Sequence, residues 1–521
     1  MMPFDYSLYL VTDRSLLPAG KTFLESLEES LQGGVSIVQL REKQADTAEF
    51  LHVAQAARQL TRKYNSPLII NDRVDIALAV GAEGVHLGQS DMPIAIARQL
   101  LPQGTIIGIS CNTVDQVRQA VESGADYVGL GAVWDTQTKK LSAKPIGVRG
   151  LGEMLEVLPQ DVKAVAIGGI KTTNLARLLH GSASIHYRPL DGIAVVSELV
   201  ASHNPASNAR TLKTIYDAYR STLERVESVQ WSRDTILDKA LAILNTVQSS
   251  RPLVHQVMTN IVVANQSASI TLALGASPIM ATEVEEMEDL SKLADSLLVN
   301  IGTLVASTLE GMLRAGRCAN ASKIPVVLDP VGVGASTFRK NSVNKLLDIW
   351  HPTVIKGNAG ELAALAGSTE ASGRGVDSLG GFKNPADFVR NLANKEHCVV
   401  VLTGETDYIS DGERVVSIEN GDPLLGKITG SGCMLGSCIA AFCAAANKTA
   451  TAEDDASRLT QKGDFFSAAV GAVLTLTVAS ERAVKSGKVN GMGSFLPALI
   501  DAVSQLRSED VRELARVAQI V

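Results

Sequence analysis

Eight times in the first 200 residues a short apolar run ends in a small, polar or charged cluster. The runs are Leu8 to Asp13, Val35 to Glu42, Leu68 to Arg73, Gly84 to Gln89, Thr105 to Cys111, Tyr127 to Val133, Ala164 to Ile170 and Ile193 to Ser197. Amphipathic stretches such as Ala45 to Tyr64 and Val114 to Ser123 lie between them. This alternation predicts strand followed by crossover helix, and eight such units close a parallel (β/α)8 barrel. Chemistry in that fold sits at the carboxyl ends of the strands. Those ends here include LREK, INDR, HLGQSD, GISCN and IGGI. Any one of them needs only turn chemistry to explain it. Arg41, Lys43, Asn71, Asp72, Asp91 and Ser110 together predict a site for a phosphorylated ligand.

A chain of 521 residues exceeds a single core, so a second domain is expected. The pattern changes after Ser197: residues 201–209 are polar with a proline, and a charged amphipathic helix follows to about Ser228. Another helix begins near Ser232. We therefore divide the chain into a barrel at 1–200, a helical linker at 201–233 and a second α/β domain at 234–521. Strand candidates there are Ser296 to Ile301, Val326 to Asp329, Thr353 to Lys356 and Cys398 to Thr403, while 367–384 and 447–455 read as surface insertions.

The formal charge of -7 gives no general attraction to nucleic acid or to an anionic membrane. The six cysteines include no CxxC pair and read as reduced thiols. No targeting signal is visible, and apolar stretches such as Leu435 to Ala446 fall short of the roughly 20 residues that span a bilayer. The expectation is a cytoplasmic protein acting on small molecules.

Asp72 and Asp91 fall at or just after consecutive strand ends, where two carboxylates can share a magnesium ion. Arg41 and Lys43 alternate along one strand end and can face the same side, with Glu42 turned away. Two fixed cations beside a metal make a pyrophosphate site, which Asn71, Ser110 and Lys139 can complete. A second anion site is suggested by Ile167 to Ile170 and Val195 to Ser197, because loops after the last two barrel strands often hold phosphate. Two anion sites imply two phosphorylated substrates, with a diphosphate as leaving group.

Gln39-Leu40-Arg41-Glu42-Lys43, Asn71-Asp72-Arg73, Gly84 to Gln89, Gly108-Ile109-Ser110 and Thr136-Gln137-Thr138-Lys139, in that order, resemble thiamine phosphate synthase over residues 5–200. The resemblance implies condensation of a hydroxymethylpyrimidine diphosphate with a thiazole phosphate. It implies magnesium on Asp72 and Asp91, and the diphosphate on Arg41, Lys43, Asn71, Ser110 and Lys139, with Ser110 and Lys139 counted as catalytic. Gln39 joins at the pyrimidine side, and Thr136, Thr138, Gly169, Val196 and Ser197 hold the thiazole phosphate. Trp134 and Asp135 stand where the family usually has Phe-Pro.

In the second half, Gly430-Ser431-Gly432-Cys433 opens an apolar helix, presenting free N–H groups to an anion. Cys433 sits where a helix N-terminus lowers a thiol pKa. Asp329 ends a strand before a flexible loop and is a plausible metal-linked acid. There is no GxxxxGK[ST] loop. Pro252 to His255, Leu274 to Met280, Asn300 to Thr303, Asp329 to Gly334, Lys356 to Glu361 and Gly430 to Met434 resemble hydroxyethylthiazole kinase, a ribokinase-like fold, over about 236–516. That resemblance implies an open α/β sheet and ATP-dependent phosphorylation of a thiazole alcohol. It implies Met280 and Gly430 against the thiazole, Lys356 and Thr403 against ATP, and Asp329 with Glu361 placing magnesium. Cys433 takes the catalytic position where many such kinases have Asp. The family also implies a homo-oligomer in multiples of three. Lys356 replaces the commoner Arg, Ser431 the commoner Thr and Ser269 an Asn.

The two resemblances are consecutive chemical steps. Other readings are a phosphosugar-type barrel lyase or isomerase fused to a sugar kinase, or one half acting as a non-catalytic scaffold or regulator.

Overall fold

A computed structural model describes residues 4–138, 144–182, 188–223, 231–374, 377–379, 381–450 and 463–520, with His186 and Leu459. The chain divides into two compact units near residue 226.

In the first unit, eight strands pair in chain order and close on themselves, all parallel: β1 Leu8–Val11, β2 Ile37–Leu40, β3 Leu68–Asn71, β4 Gly84–Leu87, β5 Ile106–Cys111, β6 Tyr127–Leu130, β7 Lys163–Ile167 and β8 Gly192–Val195. Six fall within a predicted run, and β7 and β8 each begin one residue before theirs. Alternate residues along a strand point to opposite faces. Outward residues such as Leu8, Leu10, Val38, Leu40 and Ile70 pack beneath the helices. Inward residues Tyr6, Tyr9, Ile37, Ile69, Ile106, Tyr127, Val165 and Ala194 fill the barrel.

This inner set floors the site. Two residues after Ile37 comes Gln39, two after Ile69 comes Asn71, and two after Ala194 comes Val196. The same alternation that buries an apolar floor therefore lifts the Gln39 and Asn71 amides into the mouth above it, while Val196 extends the apolar lining.

Helix Pro205–Leu223 buries Ala209, Leu212, Ile215, Tyr216 and Tyr219 in the barrel's outer core, so this part of the 201–233 segment belongs to the first unit. Residues 224–230 lie outside the described residues. Ser232 caps the next helix, Arg233–Ser250, by accepting from the Thr235 N–H.

The second unit, among the described residues, is a nine-stranded sheet. Its parallel strands are β9 Leu253–Met258, β10 Ser277–Ile279, β11 Ser296–Asn300, β12 Val326–Asp329 and β13 Val354–Asn358. A hairpin follows, β14 Ser372–Arg374 with β15 Asp377–Leu379, within the expected insertion. Then come β16 Val399–Thr403, β17 Asp407–Ser410, β18 Val415–Ile418 and β19 Val517–Gln519. Sheet order is β10-β9-β11-β12-β13-β16-β17-β18-β19. The first six are parallel and the last three add an antiparallel edge that the sequence reading does not contain.

One face packs Leu298, Val327, Val354 and Val401 against helices that include Ser431–Lys448 and Phe465–Lys485. The other face packs Leu297, Val326, Leu328, Ile355 and Val400. Phe465–Lys485 corrects the expectation that apolar stretches stay below membrane length. It is long and apolar enough by composition, but 89% of its apolar window is buried inside the unit because it is a central core helix.

The seam between β8 and β1 has no room for a side chain at Gly192, where an added Cβ would lie 1.7 Å from the Tyr6 carbonyl oxygen. Gly192→Ala should destabilise the barrel by about 2–3 kcal/mol through forced strand separation. Urea unfolding followed by barrel tryptophan and tyrosine signals checks this, and an unchanged midpoint would contradict it.

Candidate functional site

Two adjoining clefts open at the carboxyl ends of the barrel strands. The first is lined by Tyr9, Gln39, Arg41, Asn71, His86, Ser110 and Tyr127, the second by Ser110, Thr136, Thr138, Gly168, Gly169, Val196 and Ser197. They share Ser110, Gly129, Thr138, Ile167, Ala194 and Val196. Residues of the two anion sites expected from sequence thus line neighbouring clefts with a common wall. Lys139 lies outside the described residues.

The Arg41 guanidinium is held by Asp13 at 3.2 Å. Lys43 pairs with Asp72. Glu42 turns away as expected and receives Arg14 at 2.8 Å. Asp72 adopts a left-handed backbone, φ +61°, which is uncommon for a residue with a side chain and aims it across the strand end. It is in hydrogen-bonding contact with Asp91, whose Oδ2 also accepts the Gly88 N–H at 2.7 Å. Burial and then the adjoining Asp72 push the Asp91 carboxyl above its ordinary range. Two carboxylates forced together beside an ammonium are a donor set that suits a hard dication.

On the other side, Gly168 and Gly169 have φ of +107° and +69°, so the chain turns sharply there and exposes backbone. An added Cβ at Gly169 would lie 2.9 Å from the Asp135 carbonyl oxygen. The Thr136 and Thr138 hydroxyls are 2.9 Å apart. Val196 precedes the single helical turn Ser197–Val200.

Sequence reasoning passed over Tyr9, Tyr127 and Asp13 as site residues, and cited His86 only within a motif. Tyr9 and Tyr127 sit in apolar strands and read as core. The available signal was that a buried phenol needs a polar partner, and three such partners are found: the Gln39 amide, the other phenol and His86.

In the second unit, parity again collects the polar groups. Asn300, Asp329 and Lys356 each follow by two residues a side chain, Leu298, Val327 or Val354, that faces the Ser431–Lys448 helix. Asn300 and Asp329 are register partners, and Lys356 comes one step beyond the Leu328–Ile355 pair. Asp329 is fully buried. Its Oδ1 accepts from Lys356 Nζ at 2.8 Å and its Oδ2 from Asn300 Nδ2 at 2.9 Å. Lys356 also donates to the Gly432 carbonyl at 3.1 Å, tying the pair to the start of the helix. Burial works against the Lys356 charge, but Asp329 and then Glu361 hold its ammonium above the ordinary range.

Cys433 lies beside this pair, 6% exposed, with its sulfur 3.5 Å from Asn260 Nδ2 and in contact with Asp329. The expectation of a lowered thiol pKa is overturned. Burial, with Asp329 adding to it, pushes the thiol up to about 11 and outweighs the helix terminus. Asn260 was missed from sequence, and Asn300 was cited without a role.

Gly430, φ +86°, precedes the helix, and an added Cβ there would lie 2.5 Å from Val263. Both oxygens of Glu361 accept backbone N–H groups, of Gly332 and of Asn358, each at 2.9 Å, so it fastens the loop after Asp329 to the helix Ala359–Ala366. Thr403 ends β16, two strands from Asp329. Met280 follows the edge strand β10 and is 41% exposed. Among the described residues, no group of three or more His, Cys, Asp or Glu gathers as a metal site.

A parallel barrel with two adjoining clefts at its strand ends and an α/β unit with a buried lysine–aspartate pair at its own strand ends are the two units of a bifunctional enzyme, and the family models say which. The model of the thiamine monophosphate synthase family matches residues 8–199, and that of the hydroxyethylthiazole kinase family matches 244–509. The chain is 38% identical to a probable thiamine biosynthetic bifunctional enzyme of Schizosaccharomyces pombe, over 98% of this chain and 96% of that one. It is 37% identical to the thiamine biosynthetic bifunctional enzyme of Saccharomyces cerevisiae, over 98% and 97%. Its second half is 43% identical to the hydroxyethylthiazole kinase of Histophilus somni, over 53% of this chain and 97% of that one. The chain belongs to the thiamine biosynthetic bifunctional enzymes, with a thiamine phosphate synthase domain and an ATP-using hydroxyethylthiazole kinase domain.

Near Thr403, the buried Asp407 accepts the Gly404 N–H at 3.0 Å. Burial pushes its carboxyl up to about 7. Its folded pKa lies above the unfolded one, so the folded state binds the extra proton between about pH 4 and 7. The stability this group contributes is therefore lost as pH rises through that window. Asp407→Asn should gain stability relative to wild type from pH 4 to 7, measured by urea unfolding, and parallel pH profiles would contradict the assignment.

Proposed function

We propose that the barrel condenses a hydroxymethylpyrimidine diphosphate with a thiazole phosphate, releasing pyrophosphate, and that the second unit makes this thiazole phosphate from the thiazole alcohol and ATP. The observation that carries the reading is the common wall of the two barrel clefts, which lets two phosphorylated substrates meet. Gln39 borders the pyrimidine, and Arg41, Lys43, Asn71, Ser110 and Lys139 take the diphosphate. Thr136, Thr138, Gly169, Val196 and Ser197 take the thiazole phosphate.

Asp72 and Asp91 fit magnesium, their mutual repulsion being what a dication relieves. When bound, it would screen negative charge on the departing pyrophosphate. Arg41 and Lys43 stabilise the same charge from fixed positions. The apolar floor of Ile37, Ile69 and Val165 keeps water from the electron-poor methylene left on the pyrimidine. The thiazole nitrogen then closes the new bond, so no side-chain nucleophile is required.

In the kinase domain Lys356 and Thr403 face ATP, and Met280 and Gly430 the thiazole. Each carboxylate oxygen of Asp329 and Glu361 already accepts a hydrogen bond, so these two fit magnesium through their remaining lone pairs or its bound waters. Placing the phosphoryl group and neutralising its charge supplies most of such a reaction's rate. Cys433, as a neutral thiol, positions the alcohol. A cytoplasmic homo-oligomer in multiples of three completes the proposal.

The test supplies thiazole alcohol, pyrimidine diphosphate, ATP and magnesium. Thiamine phosphate, ADP and pyrophosphate should appear, and their absence at every metal concentration would refute the reading. Arg41→Ala should lower synthase kcat/KM about 100-fold with thiazole phosphorylation unchanged. Cys433→Ala should lower kinase kcat only about 10-fold; a loss of 10³ or more would instead mark the thiol as an essential base.

A further inference from the structure

An unbroken chain of hydrogen bonds runs beneath the barrel clefts. Gln39 Nε2 donates to the Tyr9 hydroxyl at 3.0 Å. The Tyr9 and Tyr127 hydroxyls are 2.7 Å apart, Tyr127 lies 2.8 Å from His86 Nδ1, and His86 Nε2 lies 2.9 Å from Ser110 Oγ. The path links Gln39, on the second strand, to Ser110, on the fifth.

The geometry is built for this path. Gly108 on β5 is the register partner of both His86 and Tyr127. A Cβ on Gly108 would lie 2.0 Å from the Tyr127 ring, so glycine there is what lets the phenol and the imidazole meet across the strand. Tyr9 and Tyr127 are each 1% exposed, so their hydroxyls must pair within the barrel.

Proton counting gives the chain a direction. The Gln39 amide nitrogen can only donate, so Tyr9 accepts there and its single proton is turned to Tyr127. The Tyr127 proton then goes to His86 Nδ1, which must be the bare nitrogen. The imidazole proton sits on Nε2 and is given to Ser110 Oγ. Ser110 already accepts this bond, which leaves its own proton to point into the cleft.

We propose that Tyr9, Tyr127 and His86 are positioning residues which, set by the Gln39 amide, fix the His86 tautomer and present Ser110 as a hydrogen-bond donor to a diphosphate oxygen. This rests on the diphosphate side of the reading above. It explains why polar side chains interrupt an otherwise apolar barrel floor: they orient one hydroxyl before the substrate arrives, so that it need not reorganise when charge develops.

Two measurements on the full-length protein test it. In ¹⁵N-histidine-labelled protein, with the His86 signal assigned by its loss in His86→Gln, the ring should be neutral with its proton on Nε2. A proton on Nδ1 would reverse the relay and overturn the proposal. Binding of inorganic pyrophosphate with magnesium, by calorimetry, supplies the second test. Tyr127→Phe and Ser110→Ala should each weaken binding roughly tenfold, and the double variant should be no weaker than Ser110→Ala alone.

Tyr6→Phe is the control. Its ring is 5.3 Å from that of Tyr127 in the same floor, outside the relay, and it should bind as wild type. Additive losses in the double variant, an equal loss in Tyr6→Phe, or no pyrophosphate binding by the wild type would each overturn the proposal. Neither measurement requires turnover. Protein that makes no thiamine phosphate yet passes both tests would refute the substrate assignment and leave the relay standing.

Discussion

In both units, a parallel strand covered on its two faces can carry charge only where it ends. Both clusters of polar groups follow from that constraint. In the barrel, inward positions are apolar or phenolic up to Ile37 and Ile69, and become Gln39 and Asn71 one repeat later. In the sheet, Leu298, Val327 and Val354 are followed two residues on by Asn300, Asp329 and Lys356. Period-two alternation thus builds a dry base and a polar rim with the same side-chain geometry.

What the two rims do with their charges differs. The barrel mouth is open, and its ion pairs, Arg41 with Asp13 and Lys43 with Asp72, are partly solvated, so their charges can be shared with an arriving anion. The kinase pair is closed. Asp329 and Lys356 are 0% and 4% exposed at the side chain, and a buried charge left without its partner is costly. Asn300 and the Gly432 carbonyl spread that charge over two strands and a helix start. The same buried surroundings raise the Cys433 thiol, so the helix terminus that suggested a thiolate ends up beside a neutral thiol.

Much of this was legible in the sequence because it is periodic or local. The eight barrel strands announce themselves by recurring apolar runs, and Arg41, Asn71, Ser110, Thr136 and Ser197 by their place at or just past the ends of those runs. The antiparallel strands β17, β18 and β19 were not legible. Val517–Gln519 joins β18 from a hundred residues away, a pairing no local pattern encodes. Tyr9 and Tyr127 were hidden for a different reason: in sequence a buried phenol looks like any core aromatic, and only the fold shows that its hydroxyl has Gln39, His86 or another phenol to meet. The neutrality of Cys433 likewise depends on Asp329, which lies about a hundred residues earlier and reaches it only through the sheet.

The central claim is a division of the barrel mouth, with leaving pyrophosphate over the second to fifth strands and the phosphate ester over the last strands. A crystal structure of the protein with thiamine phosphate, pyrophosphate and magnesium tests it most directly. Pyrophosphate should lie between Arg41, Asn71, Ser110 and the Asp72 and Asp91 carboxylates, with the ester phosphate against Gly169 and Ser197. Pyrophosphate bound at the Gly169 and Ser197 loops, or either anion bound away from the carboxyl ends of the strands, would contradict the account.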